Sequence, residues 1–206
     1  MSTKDVQDKI AQFDEFFSIE HPFNINVKTI ETDQYKTFEQ FTAAIPLPFK
    51  MASDVVTIDQ AALRPLQAIS GVAGQLVEFL NHQAHKIDLL VGYILSQQDN
   101  EELRYQGTRF GGGGIIIGSE NTFDLGQMLE LKIFFLEDNC AVFCIGEVVE
   151  IDYSQKGGSE SNTLHKIVFQ HIREEDREIL VRTSLHQQSK QLQNLAKKRN
   201  DEAKNS

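Results

Sequence analysis

Hydrophobic and polar positions along this chain change period twice, and the changes mark three stretches. Up to about residue 57 the pattern is mixed. Ile10, Phe13 and Phe17 recur at helical spacing and predict a short helix over residues 3–17. After Pro22, Phe23, Ile25, Val27 and Thr29 alternate with Asn24, Asn26, Lys28 and Ile30, a mostly two-residue period that predicts a strand. A second short helix is expected over residues 33–43. Ile45-Pro-Leu-Pro-Phe49 ends it, because proline lacks a donor and disfavours helix in the residue before it.

From residue 58 to residue 100 the period is seven. Thr57 and Gln60 suit a capping box, and Pro65 suits a kink or the first turn of a new helix. Leu66, Ala73, Leu80, Ile87 and Ile94 hold one heptad position; Ile69, Leu76, Gln83, Leu90 and Gln97 hold the position three residues later. As one helix, Leu66 to Gln97 would run about 48 Å at roughly 1.5 Å per residue. The flanking positions carry Val72, Val77, Phe79, Ala84, Val91 and Tyr93, where a two-stranded coiled coil usually puts charges. A stripe this broad predicts a bundle of more than two helices, with Gln83 in the seam to set register. Such stripes ordinarily pack on their own domain; the length of the repeat and its apolar flanks favour self-association. Gly71, Gly74 and Gly92 fall on the opposite face, where close approach of another element would justify their cost in helix propensity.

Beyond Asn100 the period is two. Ile115-Ile-Ile117, Leu129 to Phe135, Ala141 to Ile151 and Leu164 to Ile172 predict strands, separated by polar turns and by a Ser- and Gly-rich loop from Asp152 to Thr163. A last helix is expected from Glu174 to about Lys198, with Val181, Leu185, Gln188, Leu192 and Leu195 on one face and Glu174, Glu175 and Asp176 at its positive end. The fold class expected is α+β: a small antiparallel barrel or sandwich with a C-terminal helix over 101–206, a long oligomerisation helix over 58–100, and a small α/β segment over 1–57.

Composition narrows the function. The 206 residues carry a net charge of −10, with a pI near 5.0. An acidic chain repels phosphate backbones, so no nucleic-acid polymer is an expected partner. Charge is uneven: Lys190 to Ser206 sums to +3, leaving −13 elsewhere. No apolar run is long enough to span a bilayer and no hydrophobic leader segment is visible, so membrane insertion is not expected and a cytoplasmic location is. Cys140 and Cys144 sit four residues apart on one expected strand, about 13 Å, beyond the reach of a disulfide.

Candidate chemistry is sparse. Gly111-Gly-Gly-Gly114 invites a phosphate-loop reading, but such a loop opens a helix and offers a Lys-Ser/Thr pair. These glycines run into Ile115-Ile-Ile117, so a tight turn or bulge at a strand start is expected. His82 and His85, with Glu78 one turn earlier, are half a metal site at most and fall on the outer face of the heptad helix. His165 and His171 flank Phe169 without ligand spacing. No hydrolase, zinc-protease or Cys-x-x-Cys pattern occurs, and no carboxylate spacing marks an acid/base pair. Neither an enzyme nor a metal site is expected.

From about residue 100 to 195 the chain resembles the PilZ family. The likeness runs through Arg109-Phe-Gly-Gly-Gly-Gly114-Ile-Ile-Ile117, Phe123-Asp-Leu-Gly126, Leu129-Glu-Leu-Lys-Ile133, Ile145-Gly-Glu-Val-Val149, Lys166-Ile-Val-Phe169 and the closing helix from Glu174. The resemblance implies a small β-barrel in bacterial cyclic di-GMP signalling. Two motifs in that family hold the dinucleotide: Arg-x-x-x-Arg before the barrel, and Asp/Asn-x-Ser-x-x-Gly at a strand start. Here Arg109 falls at the Asp/Asn position and Gly111 at the Ser position, and Gly114 alone matches; Arg104 and Arg109 are five apart rather than four. Arginine forks grip phosphates and stack on guanine, and glycines supply no side-chain donor. The resemblance with these departures implies an adaptor with weak or no nucleotide binding and no cofactor. It looks like an atypical subgroup that forms homotetramers through such a helix, which leaves a protein partner to be found. The alternative is a direct cyclic di-GMP receptor with Arg104, Arg109, Gly111 and Gly114 near the phosphates.

Overall fold

The structure is a computed structural model that describes residues 3–53, 72–119, 123–135, 138–153 and 163–204. Its elements are α1 (Thr3–Glu15), β1 (Ser18–Ile30), α2 (Phe38–Ala44), α3 (47–53), α4 (Val72–Ser96), a 3₁₀ turn (Glu101–Leu103), β2 (Arg104–Gly111), β3 (Gly114–Ser119), β4 (Met128–Phe135), β5 (Cys140–Asp152), β6 (Thr163–His171) and α5 (Glu174–Lys204). The capping box at Thr57, Pro65, Leu66, Ile69 and Gly71 lie outside the described residues, as do the side chain of Ala73 and most of the Ser- and Gly-rich loop.

The strands close into an antiparallel barrel in the order β1-β2-β3-β6-β5-β4, with β4 returning to β1. Alternation places Leu129, Leu131 and Ile133 of β4 inside with Ile25, Ile115, Ile117, Val142, Cys144 and Ile167. Ile179 and Leu180 of α5 join that interior and close one end of the barrel. The outer face of β4 and β5 is apolar too. There Phe134, Ala141, Phe143 and Ile145 pack under Phe41 of α2, Phe49 and Ala52 of α3 and Leu95 of α4. Burial on both sides explains the unbroken buried run Cys140 to Val149, which is why its sequence lacks alternation. On another side α1 lays Phe13 against Val149 and Val168.

Residues 18–30, which the sequence places in the segment before the long helix, thus supply a barrel strand. A boundary at residue 57 does not separate the barrel from what precedes it. The hydrophobic pattern marks β1 but cannot say what it pairs with. Pro22 sits where the β1–β2 register shifts between Glu20 and Phe23, a position that needs no ladder donor. The strand β2 has no counterpart in the pattern, because Arg-Tyr-Gln-Gly-Thr-Arg-Phe-Gly is mostly polar and puts only Tyr105, Gly107 and Phe110 toward the interior.

Helix α5 also departs from expectation. Its buried residues are Asp176, Ile179, Leu180, Thr183, Ser184 and Gln187, not the stripe through Leu185, Gln188, Leu192 and Leu195. Small and polar side chains let the helix lie close on the barrel end. Asp176 accepts from the Arg173 guanidinium at 2.8 and 3.0 Å and from the Ser53 hydroxyl, tying α3 to the start of α5.

Candidate ligand and assembly surfaces

The glycine turn between β2 and β3 is buried throughout. The Gly113 carbonyl accepts from the Phe169 N–H at 3.1 Å and the Gly112 carbonyl accepts from Arg177. Helix α1 lies on the turn. A Cβ on Gly114 would run into the Ile167 carbonyl and Phe13, and one on Gly112 into Phe16 and Val181. The Arg177 guanidinium stacks 5.1 Å from the Phe16 ring centroid and the Lys166 ammonium lies 5.3 Å from that of Phe13. Lys9 of α1 clamps the helix with bonds of 2.8 and 2.6 Å to the buried Glu147, which also accepts from Gln170 at 2.9 Å. The turn is the tight strand start the sequence predicts. What requires glycine is close approach: among the described residues the glycine with positive φ is Gly126, at 81°.

The two arginines sit at opposite ends of β2 and both are ion-paired. Arg109 donates from Nη2 to Glu20 Oε1 at 2.7 Å. Arg104 donates from Nε to both oxygens of Asp99 at 3.1 and 3.0 Å, with Glu101 at 3.8 Å. Five residues of strand hold them about 16 Å apart. Arg109 lies two residues from Gly111, whereas Arg104 belongs to a different site. There the buried Asn26 amide donates to Asp99 at 2.8 Å and to the Asn100 carbonyl at 3.0 Å, while its oxygen accepts the Asn100 N–H at 2.7 Å. This network fastens the end of α4 to β1, and the structure does not gather Arg104, Arg109, Gly111 and Gly114 into one site. Sequence reasoning missed Asn26 and Asp99, because Asn26 stands at a polar position of the β1 alternation and carries no mark of its burial.

Among the described residues, helix α4 meets the barrel near its C-terminal end. Leu95 is fully buried, Val91 packs on the same cluster, and a Cβ on Gly92 would meet the Asn139 side chain, the close approach expected of that glycine. Gly74, by contrast, has open space around it. The heptad face points elsewhere. Leu76 and Leu90 are 60% and 63% exposed, Ile87 and Ile94 are exposed, and Phe79 and Tyr93 beside them are exposed as well; Leu80 and Gln83 are half-buried. Fully burying one such side chain is worth roughly 1.5–3 kcal/mol. His82 and His85 lie exposed on this helix, with a His82 ring nitrogen 2.7 Å from the Glu78 carbonyl. Among the described residues no three His, Cys, Asp or Glu side chains converge as a metal site would require.

Four buried groups have displaced protonation equilibria. Burial pushes the Cys140 thiol up to about 12 and Cys144 well above its usual value, and neither forms a disulfide. Burial lowers the pKa of His165, whose Nε2 accepts the Phe123 N–H at 3.1 Å, so the ring is held neutral. Burial raises Asp176, opposed by the Arg173 and Ser53 hydrogen bonds. All four side chains are buried.

A closed six-stranded barrel, capped by one helix and carrying a second, long and apolar one, defines a small single-barrel protein. A family model described as the PilZ domain matches residues 81–185, and the chain belongs to the PilZ domain family. Among solved structures, a pathogenic protein of Xanthomonas campestris, described as a tetrameric PilZ domain self-assembled via an unusual helical bundle, matches with a TM-score of 0.54 at 15% identity, covering 89% of this chain and 96% of that one. At that identity the likeness is one of fold. The inhibitor of motility MotI/DgrA of Bacillus subtilis matches with a TM-score of 0.39 at 20% identity, covering 45% of each chain, so this chain spans under half of that protein's length. A search of curated proteins gives no match. No described helix is long and apolar enough to cross a membrane.

Proposed function

We propose that this chain is a non-catalytic bacterial PilZ-type adaptor in cyclic di-GMP signalling. It acts in the cytoplasm by assembling, as a homotetramer, through α4 and by docking a partner protein, with weak or no nucleotide binding of its own. The observation that carries this reading is the heptad face of α4, turned away from its own barrel with Leu76, Ile87, Leu90 and Ile94 exposed. A helix that spends residues on a wide apolar stripe and leaves it in water calls for like helices to cover it. The Xanthomonas campestris neighbour, which self-assembles via a helical bundle, agrees with it. The case against nucleotide binding rests on chemistry: the glycine turn lies under α1, and Arg104 and Arg109 are each held by a carboxylate.

Sedimentation equilibrium of the full chain at micromolar concentration tests assembly. A tetramer is expected, and Leu80→Asp with Leu90→Asp should release monomers; a monomeric parent protein ends the proposal. Calorimetry with cyclic di-GMP at tens of micromolar tests the other half. No heat is expected, and a saturating titration abolished by Arg109→Ala would favour the direct-receptor alternative.

A further inference from the structure

The helices on the outside of the barrel lie over floors of different chemistry. Under α2, α3 and the end of α4 the floor is Phe134, Ala141, Phe143 and Ile145, with Phe41, Phe49, Ala52 and Leu95 buried on it. Under α1 the floor is mixed. Its apolar part is Val149 and Val168, flanked by Ile116. Around these stand three charged groups. Glu147 accepts from Lys9 at 2.8 and 2.6 Å, Lys166 lies 5.3 Å from the Phe13 ring centroid, and Arg177 lies 5.1 Å from that of Phe16. Among the described side chains of α1, Phe13 is the buried one; Lys9 and Ile10 are half-buried, and Asp8, Ala11, Asp14 and Glu15 are exposed.

The charged groups of this floor keep partners without α1. Glu147 also accepts from Gln170 at 2.9 Å, Lys166 pairs with Glu150 at 2.7 Å, and Arg177 donates to the Gly112 carbonyl and lies 3.5 Å from Glu174. Lifting α1 bares charges that water solvates, and its apolar cost is confined to Phe13, Phe16 and the two valines. Lifting α2 and α3 would instead bare Phe134 and Phe143 together with Phe41 and Phe49. Helix α1 joins the barrel through Phe16 and Phe17, so it can leave without undoing a strand. Local opening is drawn from elements with few buried apolar contacts, and α1 is such an element. We propose that α1 is a releasable cover, and that the groove it fills on β5 and β6 docks a partner's helix bearing a lysine, an aromatic residue one turn on and a second aromatic three residues further. Lys9, Phe13 and Phe16 identify that chemistry, because they show what the groove holds. The inference rests on the adaptor reading and assigns docking to a surface that the free protein keeps closed.

The test uses the full chain and a labelled synthetic peptide of residues 3–17, with binding followed by fluorescence anisotropy. Phe13→Asp in the chain lifts its own α1 and leaves the floor unchanged. That variant should bind one peptide per protomer, at least about tenfold more tightly than the parent chain, whose own helix competes. A peptide carrying Phe13→Asp should not bind. Adding Glu147→Lys to the Phe13→Asp chain should weaken binding at least about tenfold, and a peptide carrying Lys9→Glu should restore it. In the parent chain, amide exchange over α1 should run at least about tenfold faster than over α2 and α3. Adding Leu90→Asp to the Phe13→Asp chain should break the tetramer and leave peptide binding unchanged, which separates failure of docking from failure of assembly. The inference is overturned by loss of the barrel in Phe13→Asp by circular dichroism, by α1 amides as protected as those of α2 and α3, or by no gain in binding over the parent. It is equally overturned by a charge swap that fails to restore binding, by pairing of Leu90→Asp chains through exchanged α1 helices, or by displacement of the peptide by cyclic di-GMP.

Discussion

Asp176 offers a sharp test of how the N-terminal wrapping is held. Its side chain is fully buried and takes three bonds, two from Arg173 and one from Ser53, and the Arg173 side chain is itself only 12% exposed. Asp176→Ala leaves the guanidinium buried without its counter-charge, which costs about 3–5 kcal/mol. Against a total stability of about 5–15 kcal/mol that is a large share. At about 2–4 °C per kcal/mol for a chain of this size, the melting midpoint should fall by about 6–20 °C. The raised pKa of Asp176 says that burial outweighs the help from its partners. Ionising the carboxyl therefore costs stability as pH climbs from the ordinary 3.8 toward its raised value, and the cost persists above it. Replacing both members, Arg173→Met with Asp176→Leu, removes that cost along with the attraction, and should return stability to within about 1 kcal/mol of the parent. Urea denaturation followed by far-ultraviolet circular dichroism, at one protein concentration throughout, measures each variant. A single variant losing less than about 1 kcal/mol, or a double variant no better than the single, refutes the reasoning.

Two other outcomes follow from buried features. His165 must stay neutral to accept the Phe123 N–H, and its pKa is lowered by burial, so its contribution is complete above the ordinary value of 6.5 and is lost as pH falls below it. The urea midpoint of the parent should drop between pH 7.5 and 5, and His165→Leu should flatten that drop; an identical slope in the variant would falsify this assignment. Gly114→Ala should cost about 1–3 kcal/mol in thermal melts, because the obstructing Ile167 carbonyl is backbone and cannot swing aside. Gly112→Ala, which meets only the side chains of Phe16 and Val181, should cost less.

Much of this architecture was readable one element at a time. The two-residue period of Leu129 to Ile133 and the helical spacing of Ile10 and Phe13 each reflect a face that must be buried, and both elements formed where the pattern placed them. The seven-residue repeat of α4 was equally plain. The resemblance at Arg109 to Gly114 located the turn, but not what lies on it: three phenylalanines near the end of α1 carry no mark saying which strand they will cover. Arg104 shows the same limit. An arginine reads as an anion-binding candidate until Asp99, five residues earlier, is seen to turn back onto it beneath Asn26.

Local periodicity and composition thus determined that this chain has a set of short strands, a long apolar helix and a lopsided charge, because those properties depend on neighbours within one or two turns of sequence. Tertiary structure alone decided that β1 closes the barrel, that α1 covers the glycine turn, and that α5 packs through Asp176, Thr183 and Ser184 while Leu185, Leu192 and Leu195 face solvent. Those outcomes turn on which surfaces meet across 80 to 170 residues of chain. A hydrophobic pattern states that a face will be covered, and only packing states by what.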